Sequence, residues 1–349
     1  MNILINCSNL QGGGGVSVAS SFIDCLSKES LKDFKITLLL SKKVYKNLLG
    51  LKVDFNKFDN VIVKNIFGIK SLVTNYRKFN KDMSLMFTVF GPIYILRRDF
   101  IHISGLAQPY VIYPNNAYVE TLRGLKKLKV FLRTVFQTFF TLNNDVLIVE
   151  RFMIQKRLRG NNLFKNIEIF VVPSTIHSLY YDKNSWGDLE IYSDMKKLRI
   201  GLIARNYPHK NLQILPKVKH DLLNIYDIKS EIYVTLSDDE WNKTSNIFKK
   251  SVINLGTLRL DQCPLFYKNM DLILMPTLLE SFSSIPIESM IMEKPFFGSN
   301  LDFMKDVCGN YCIYIDPFNS EDIASNINQF INQNYQKKKK WIDKAKNYA

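Results

Sequence analysis

Two glutamates eight positions apart are the residues of this sequence best placed to do chemistry. Glu280 ends a loop that begins at Pro276, and Glu288 lies about one turn into the segment that follows. The apolar run 272–275 before the loop is too short for a helix and predicts a buried parallel strand. The helix start after the loop has unpaired N–H groups, which suit a phosphate or sugar oxygens. The loop adds hydroxyl and amide donors from Ser281, Phe282, Ser283 and Ser284.

A pair of cations precedes these glutamates in the chain. Arg205 and Lys210 are five positions apart, in the loop after the predicted strand 198–203. The arginine can form a bidentate fork and the lysine supplies a point charge, so both can converge on one diphosphate. Open α/β sheets bind ligands beyond the carboxyl ends of their strands. The position of the pair therefore predicts a diphosphate site.

A run of four glycines follows the first predicted strand, 2–7, and leads into a helix. Such a loop lets the backbone approach a phosphate or a sugar closely, so Gly13, Gly14 and Gly15 are candidate binding residues. A tight strand-to-helix turn without a ligand is the alternative. The run does not satisfy the pattern G-x-G-x-x-G, and the next strand ends in Ser-Lys-Lys rather than in an acidic residue. Both departures argue against a redox dinucleotide site.

Two further polar features have alternative interpretations. His102, at the edge of a predicted strand, is either a functional group or a hydrogen-bonded structural group. The acidic run Asp238-Asp239-Glu240 could hold a divalent metal. First-turn acids of a helix, favoured by the helix dipole, are the preferred interpretation of that run.

The composition is that of an ordinary globular protein with two domains. Of the 349 residues, 46% are hydrophobic and 23% are charged, which suffices for a sizeable core. Strand-like and helical segments alternate on both sides of a polar stretch, 174–197, that predicts a linker. An α/β architecture of two βαβ-type domains follows. The five cysteines have no metal-ligand spacing, and we expect reduced core thiols.

The net charge predicts anionic partners. The sequence has 47 Lys+Arg against 32 Asp+Glu, a formal charge of +15, which favours nucleotides, phosphates, nucleic acid or an acidic membrane face. The first residues lack the features of a signal peptide, and no apolar stretch is long enough to span a bilayer. We therefore expect a cytoplasmic protein, or one bound to the membrane from that side.

A basic amphipathic helix is predicted over residues 123–142. Its apolar residues recur at spacings of three and four, and its first half contains Arg123, Lys126, Lys127, Lys129 and Arg133. One interpretation is a patch that lies on anionic lipid. The other is a helix that packs on its own sheet with a solvated basic face, and the sequence favours neither.

The segment PTLLES together with Glu288 resembles the E-x7-E signature of glycosyltransferase family 4, whose members are retaining enzymes with the GT-B fold. The Arg205 and Lys210 pair, the segment LDFMKDVCG and the Asp316-Pro317 pair are also similar to that family. The resemblance is strongest over residues 199–323. One departure is that serines replace the glycines that commonly follow the first glutamate.

The resemblance implies two Rossmann-like domains that face each other across a cleft. Residues 1–175 would form the acceptor side and residues 176–336 the donor side, with a C-terminal helix, 337–349, that crosses back to the first domain. Glu280 would contact the sugar ring and Glu288 the ribose. Arg205 and Lys210 would neutralise the departing diphosphate in place of a metal. Other residues implied around the substrates are Ser281, Phe282, Ser283, Ser284, Gly256 and Thr257 for the donor, Gly13, Gly14 and Gly15 at the cleft, and His102 for catalysis on the acceptor side.

The implied activity is transfer of a sugar, with retention, from a UDP or GDP donor to a lipid-linked bacterial surface glycan such as O-antigen or capsule. No cofactor, metal or nucleic acid is expected. A GT-B-type nucleotide-sugar epimerase, which needs no acceptor, is one alternative. A basic nucleic-acid-binding protein is another, although the charge is spread along the chain and no known nucleic-acid-binding pattern occurs. A retaining glycosidase fits poorly, because it needs no diphosphate cradle.

Overall fold

Every strand pairing in the described residues is parallel, and the strands form two separate sheets. The structure is a computed structural model that describes residues 1–96, 98–192, 194 and 196–349. The chain divides into unit 1, Met1–Ser174, and unit 2, Thr175–Ala349, with one sheet in each. The boundary that the resemblance implies lies one residue later, between 175 and 176.

The sheet of unit 1 has seven strands in the order β3-β2-β1-β4-β5-β6-β7. The strands are β1 Asn2–Cys7, β2 Lys35–Leu40, β3 Asn60–Val63, β4 Leu85–Thr88, β5 Ile101–Gly105, β6 Val146–Val149 and β7 Glu168–Val171. The helices are α1 Gly14–Ser27, α2 Lys42–Gly50, α3 Pro109–Ile112, α4 Ala117–Thr121, α5 Gly124–Leu142 and α6 Phe152–Arg159. Apolar side chains on both faces of the central strands are buried, which explains their continuous apolar sequence.

The sheet of unit 2 has six strands in the order β10-β9-β8-β11-β12-β13. The strands are β8 Leu198–Leu202, β9 Ser230–Val234, β10 Ile253–Asn254, β11 Leu272–Met275, β12 Phe296–Ser299 and β13 Ile313–Ile315. The helices are α7 Leu215–Tyr226, α8 Asp238–Asn242, α9 Asn246–Ser251, α10 Cys263–Asn269, α11 Ile285–Ile291, α12 Asp302–Cys308, α13 Ser320–Ile331 and α14 Tyr335–Tyr348. All four residues of β11 are buried, as the short apolar run predicts.

Two segments of unit 2 bear on the sequence-based expectations. The stretch predicted as a linker carries Tyr180, which is 4% exposed and lies beside Tyr267, so part of that stretch belongs to the core of unit 2. Helix α14 contains most of the segment 337–349 that the resemblance implies crosses back to the first domain; it has contacts within unit 2, and the crossing stays a prediction. The Tyr348 hydroxyl donates to the Val307 carbonyl at 3.3 Å, and the Trp341 ring packs on Phe330.

The cysteines and the helices bear on two further expectations. All five cysteines are free, and Cys7, Cys308 and Cys312 are buried as predicted, whereas Cys25 is exposed on α1. None of the helices that the structure describes combines the length and the apolar character that a bilayer span requires.

Candidate active site

The polar residues predicted in unit 2 lie where the strand order of its sheet reverses. Strands β8 and β11 are neighbours, although β9 and β10 come between them in the sequence. Arg205 follows β8 and Glu280 follows β11, so both lie beyond the carboxyl ends of these two strands. In open parallel sheets such a switch point is where ligands bind.

The loops after β8 and β11 are joined by a backbone hydrogen bond. A single 3-10 turn, Pro208–Lys210, carries Lys210. The His209 carbonyl accepts from the Leu278 N–H at 2.7 Å. The Thr277 hydroxyl lies 3.1 Å from the same carbonyl and 2.8 Å from Glu280 Oε1, and its one hydrogen can serve either acceptor. The loop that carries Lys210 and the loop that carries Glu280 are therefore held together by hydrogen bonds.

Lys210 and Glu280 form an ion pair with 2.5 Å between Nζ and Oε1. Their side chains are only 15% and 11% exposed, respectively. Removing two charges from water costs several kcal/mol per ion, by order of magnitude, and a buried pair is weak evidence for stability. A buried ion pair beyond the carboxyl ends of parallel strands makes both residues candidates for contact with a charged ligand.

Arg205 is held by Glu240, the third acid of the run 238–240. The carboxylate of Glu240 accepts from Arg205 Nε at 2.8 and 3.0 Å and from the Asn206 N–H at 3.0 Å. Burial opposes ionisation of Glu240, but the bonds from Arg205, Ser237 and Asn206 outweigh it and lower the pKa of Glu240. Ser237 and Glu240 form a capping box at the start of α8. The preferred interpretation of the acidic run, first-turn acids of a helix, is therefore confirmed.

Glu288 accepts a hydrogen bond on each of its carboxylate oxygens. The Ser284 hydroxyl donates to Oε1 at 2.7 Å, and the Tyr267 hydroxyl donates to Oε2 at 2.6 Å. Burial, and then the negative charge of Glu288, raise the pKa of Tyr267 and keep its phenol a donor. Each carboxylate oxygen retains a further lone pair, so the half-buried Glu288 can still accept from two hydroxyl groups of a ribose.

The remaining loop residues follow Glu280 in the predicted strand, loop and helix arrangement. Ser281, Phe282 and Ser283 are partly buried, and the Ser283 hydroxyl lies 4.0 Å from Met275 Sδ. Helix α11 begins at Ile285 with Pro286 in its first turn. Ser284 directs its hydroxyl to Glu288, and contacts of these serines with a donor stay a prediction.

Gly256 and Thr257 lie in irregular backbone just beyond strand β10, which ends at Asn254. The Asn254 side chain bonds to the N–H and the carbonyl of Leu236 at 2.8 and 3.0 Å. Gly256 has a φ of 77°, which favours glycine. Contact of Gly256 and Thr257 with a donor stays a prediction.

The glycine loop of unit 1 lies at the corresponding switch point, between β1 and β4. Helix α1 begins at Gly14, and Gly13 is its N-cap with a φ of 70°. A Cβ at Gly13 or Gly14 would meet no other atom within 4 Å, whereas one at Gly15 would lie 3.3 Å from Leu10. The space beside the first two glycines is therefore open, as a binding loop requires, and a ligand there stays a prediction.

His102 is 2% exposed inside the sheet of unit 1, on β5. Its Nε2 lies 3.0 Å from the Thr88 hydroxyl, and its backbone N–H donates to Asp145 at 2.8 Å. Burial, assisted by the charge of Arg98, lowers the pKa of His102 to about 3. A neutral ring enclosed by neighbouring strands favours the structural interpretation over the catalytic one.

Sequence reasoning missed three residues of this site. Thr277 contacts Glu280, Tyr267 contacts Glu288, and Glu240 holds Arg205. Glu240 was recognisable only as a helix acid, and Tyr267 only as an aromatic residue of a core helix. Among the described residues, no three or more His, Cys, Asp or Glu side chains are grouped so that they could hold a metal ion.

Comparisons with known proteins assign the class of fold and of enzyme. Residues 193–348 match the family model described as glycosyl transferases group 1. Sucrose-phosphate synthase from Thermosynechococcus elongatus superposes with a TM-score of 0.67 at 11% identity, over 99% of this chain and 93% of that chain. A glycosyltransferase from Rickettsia africae gives 0.64 at 13% identity, over 99% and 92%. Anabaena HepE in complex with UDP and glucose gives 0.64 at 13% identity, over 99% and 94%. No curated protein sequence matches the chain.

The two doubly wound sheets have the GT-B fold, which confirms the predicted fold class. The matched domain contains Arg205, Lys210, Glu280 and Glu288. The match of residues 193–348 to the glycosyl transferases group 1 model identifies the chain as a glycosyltransferase.

Proposed function

We propose that this glycosyltransferase is a retaining enzyme that moves a sugar from a nucleoside diphosphate to a hydroxyl of a lipid-linked bacterial surface glycan, such as O-antigen or capsule. The ion pair of Lys210 and Glu280 at the switch point of unit 2 carries the proposal. It joins a cation suited to a diphosphate and a carboxylate suited to sugar hydroxyls at one sheet edge. Arg205 adds a second cation from the same loop.

Charge stabilisation on the leaving group supplies most of the catalysis in this proposal. The bond between the anomeric carbon and the diphosphate breaks, and a bond from the acceptor oxygen forms on the same face of the sugar. The acceptor proton passes to the departing diphosphate. Arg205 and Lys210 stabilise the negative charge that grows there, and Glu280 orients the sugar ring. No strong base is required, because the leaving group itself takes the proton.

The relatives support the choice of the first donors to test. HepE is in complex with UDP and glucose, and an Escherichia coli relative is bound with UDP-2-fluoro glucose. UDP-sugars are therefore tested first and GDP-sugars second. The enzyme acts in the cytoplasm, where a lipid-linked acceptor is presented at the inner face of the membrane.

Thermal-shift measurements with UDP, GDP and a polynucleotide test the proposal. We expect UDP or GDP to raise the Tm of the wild type, and Lys210→Ala to reduce that shift. Lys243→Ala, an exposed lysine after α8, is the matched control and should retain it. NMR of the transferred sugar should show a retained anomeric configuration. Stabilisation by the polynucleotide alone, or conversion of the donor without an acceptor, would refute the proposal.

A further inference from the structure

Helix α5 presents its large apolar side chains to solvent rather than to unit 1. The buried residues of this helix are Gln137, Phe140 and Thr141. At about 100° per residue, the exposed apolar side chains fill one stripe of roughly 140° opposite that buried face. The stripe consists of Leu125, Leu128, Phe131, Leu132, Val135, Phe136 and Phe139, with exposed fractions between 40% and 75%. An ordinary surface helix has the reverse arrangement, with its apolar stripe toward the core.

The second half of α5 attaches the helix to unit 1. Phe136 and Phe140 pack their rings 4.8 and 4.9 Å from the ring of Tyr94. By contrast, every residue from 124 to 129 is exposed. The first turns of α5 are therefore accessible on all sides, and a partner can reach the full width of the apolar stripe.

Basic side chains border the apolar stripe on both sides. By the same helical spacing, Lys127 lies on one border and Lys129 on the other, and Arg133 and Lys126 lie further round the helix on the side of Lys129, all exposed. Arg123 precedes the helix, and no acidic residue occurs between residues 121 and 144. An apolar stripe with cationic borders matches a lipid surface, which offers acyl chains below a layer of anionic headgroups.

We propose that α5 is the surface by which this enzyme lies on an anionic lipid membrane, with the apolar stripe at the boundary of headgroups and acyl chains. A contiguous exposed apolar patch marks an interaction site. A second copy of the chain fits the stripe poorly, because the basic borders of two copies would face each other. The structure thus favours lipid over the interpretation of a helix that only packs on its own sheet.

A lipid surface at α5 would be a partner of the proposed glycosyltransferase. The lipid surface rests on the proposed function only for the acceptor, whose lipid tail would lie in the same membrane. Binding of vesicles needs neither donor nor catalysis. Failure to bind vesicles would therefore leave the nucleotide measurements unaffected. Failure to bind nucleotides would likewise leave the vesicle measurements unaffected.

Cosedimentation with vesicles of phosphatidylcholine and phosphatidylglycerol tests the surface. We expect the wild type to bind these vesicles, to bind pure phosphatidylcholine more weakly, and to be released by salt. Reversal of Arg123, Lys126, Lys127 and Lys129 to Glu should lower the partition coefficient at least about 100-fold, since each charge contributes about fivefold. Leu128→Ser/Phe131→Ser/Phe139→Ser keeps the charges and should also lose binding. These side chains are exposed, so the Tm should change little.

A charge-matched control separates this surface from the net charge of the chain. Lys42, Lys43, Lys46 and Lys57 are exposed on another part of unit 1. Their reversal to Glu changes the total charge equally and should leave vesicle binding nearly intact. Equal losses in both charge variants, or binding that neither α5 variant changes, would overturn the proposal. The proposal would also be overturned if the wild type did not bind vesicles and instead formed a dimer that the triple serine variant does not form.

Discussion

Arg205 Nε lies 2.8 Å from Oε1 and 3.0 Å from Oε2 of Glu240. The Glu240 carboxylate is itself fixed, because it also accepts from the backbone N–H groups of Asn206 and Ser237 at 3.0 and 3.1 Å. The terminal nitrogens of Arg205 make no hydrogen bond with any residue that the structure describes. A guanidinium held at Nε keeps its outer edge for a bidentate anion. Glu240 therefore sets the direction in which Arg205 presents that edge.

Removal of Glu240 should lower turnover without removing a group that touches the donor. We expect Glu240→Ala to reduce kcat roughly 10- to 100-fold, because the Arg205 guanidinium loses its orientation. Glu240→Gln retains a hydrogen-bond acceptor and should recover part of the rate. Ser237→Ala, which removes only the cap hydroxyl of α8, should cost about 1 kcal/mol of stability and leave kcat nearly unchanged.

A double-mutant cycle distinguishes positioning from a purely structural role. In the Arg205→Ala background, Glu240→Ala should add almost nothing to the kinetic barrier, because the group it positions is gone. Additive losses would contradict the role in positioning. Tighter nucleotide binding in Glu240→Gln would instead show that Glu240 competes with the diphosphate for Arg205.

The pair of Lys210 and Glu280 should show strong coupling in stability. Lys210→Met leaves a buried carboxylate without its cation and should cost about 3–5 kcal/mol of unfolding free energy. Lys210→Met/Glu280→Gln should recover most of that loss in urea denaturation. Removal of the exposed pair Lys346 and Glu293, whose side chains are 47% and 53% exposed, is the control and should cost less than about 1 kcal/mol. Equal losses of unfolding free energy at the two pairs would contradict the large cost expected for a buried carboxylate without its cation.

Substitution of either cation should lower kcat more than it weakens binding of the donor. The negative charge of the diphosphate grows as the glycosidic bond breaks, so Arg205→Ala and Lys210→Ala should each raise the barrier by about 2–4 kcal/mol. Arg205→Lys should recover only part, because it retains the charge and loses the fork. EDTA should leave the wild type active in steady-state assays. A requirement for a divalent ion, or normal turnover of Arg205→Ala/Lys210→Ala, would exclude this mechanism.

The two glutamates should differ in what they contribute. Glu288→Ala should weaken nucleotide binding by about 1.5–3 kcal/mol, because a charged acceptor for the ribose is lost. Glu280→Ala should reduce turnover and leave nucleoside diphosphate affinity nearly intact. Calorimetric titration with the nucleotide checks both variants. Equal losses of affinity would show that the roles are assigned wrongly.

His102 should make the protein less stable as the pH falls. Its pKa is about 3 in the fold and about 6.5 in an unfolded chain, so the unfolded chain binds its proton first. The contribution of the neutral ring is therefore complete above about pH 6.5 and is lost toward pH 3, at up to about 1.4 kcal/mol per pH unit. His102→Gln should flatten the dependence of the urea midpoint between pH 7 and pH 4 and keep activity. Loss of activity with an unchanged pH profile would favour a catalytic role.

The fold and the order of the polar loops could be predicted because buried parallel strands are short apolar runs and their ends carry the polar residues. Strand β11 and the helix start after it lie where the sequence places them. The pairings could not be predicted, since Arg205 and Glu240 are 35 positions apart and Lys210 and Glu280 are 70 apart. Only the neighbouring strands bring these side chains together. The period of α5 likewise predicts an amphipathic helix but not which face meets unit 1.

The hydrogen bond from the Leu278 N–H to the His209 carbonyl bears on the order in which a donor is recognised. In the proposed mechanism, a nucleoside diphosphate that binds Lys210 would shift the backbone that supports Glu280, and a sugar that binds Glu280 would shift the backbone that supports Lys210. Any change that one ligand makes in the affinity for the other would then be equal in both directions. An intact donor would order both loops in a single binding step. A free nucleotide or a free sugar would have to order the same hydrogen-bonded backbone without the other.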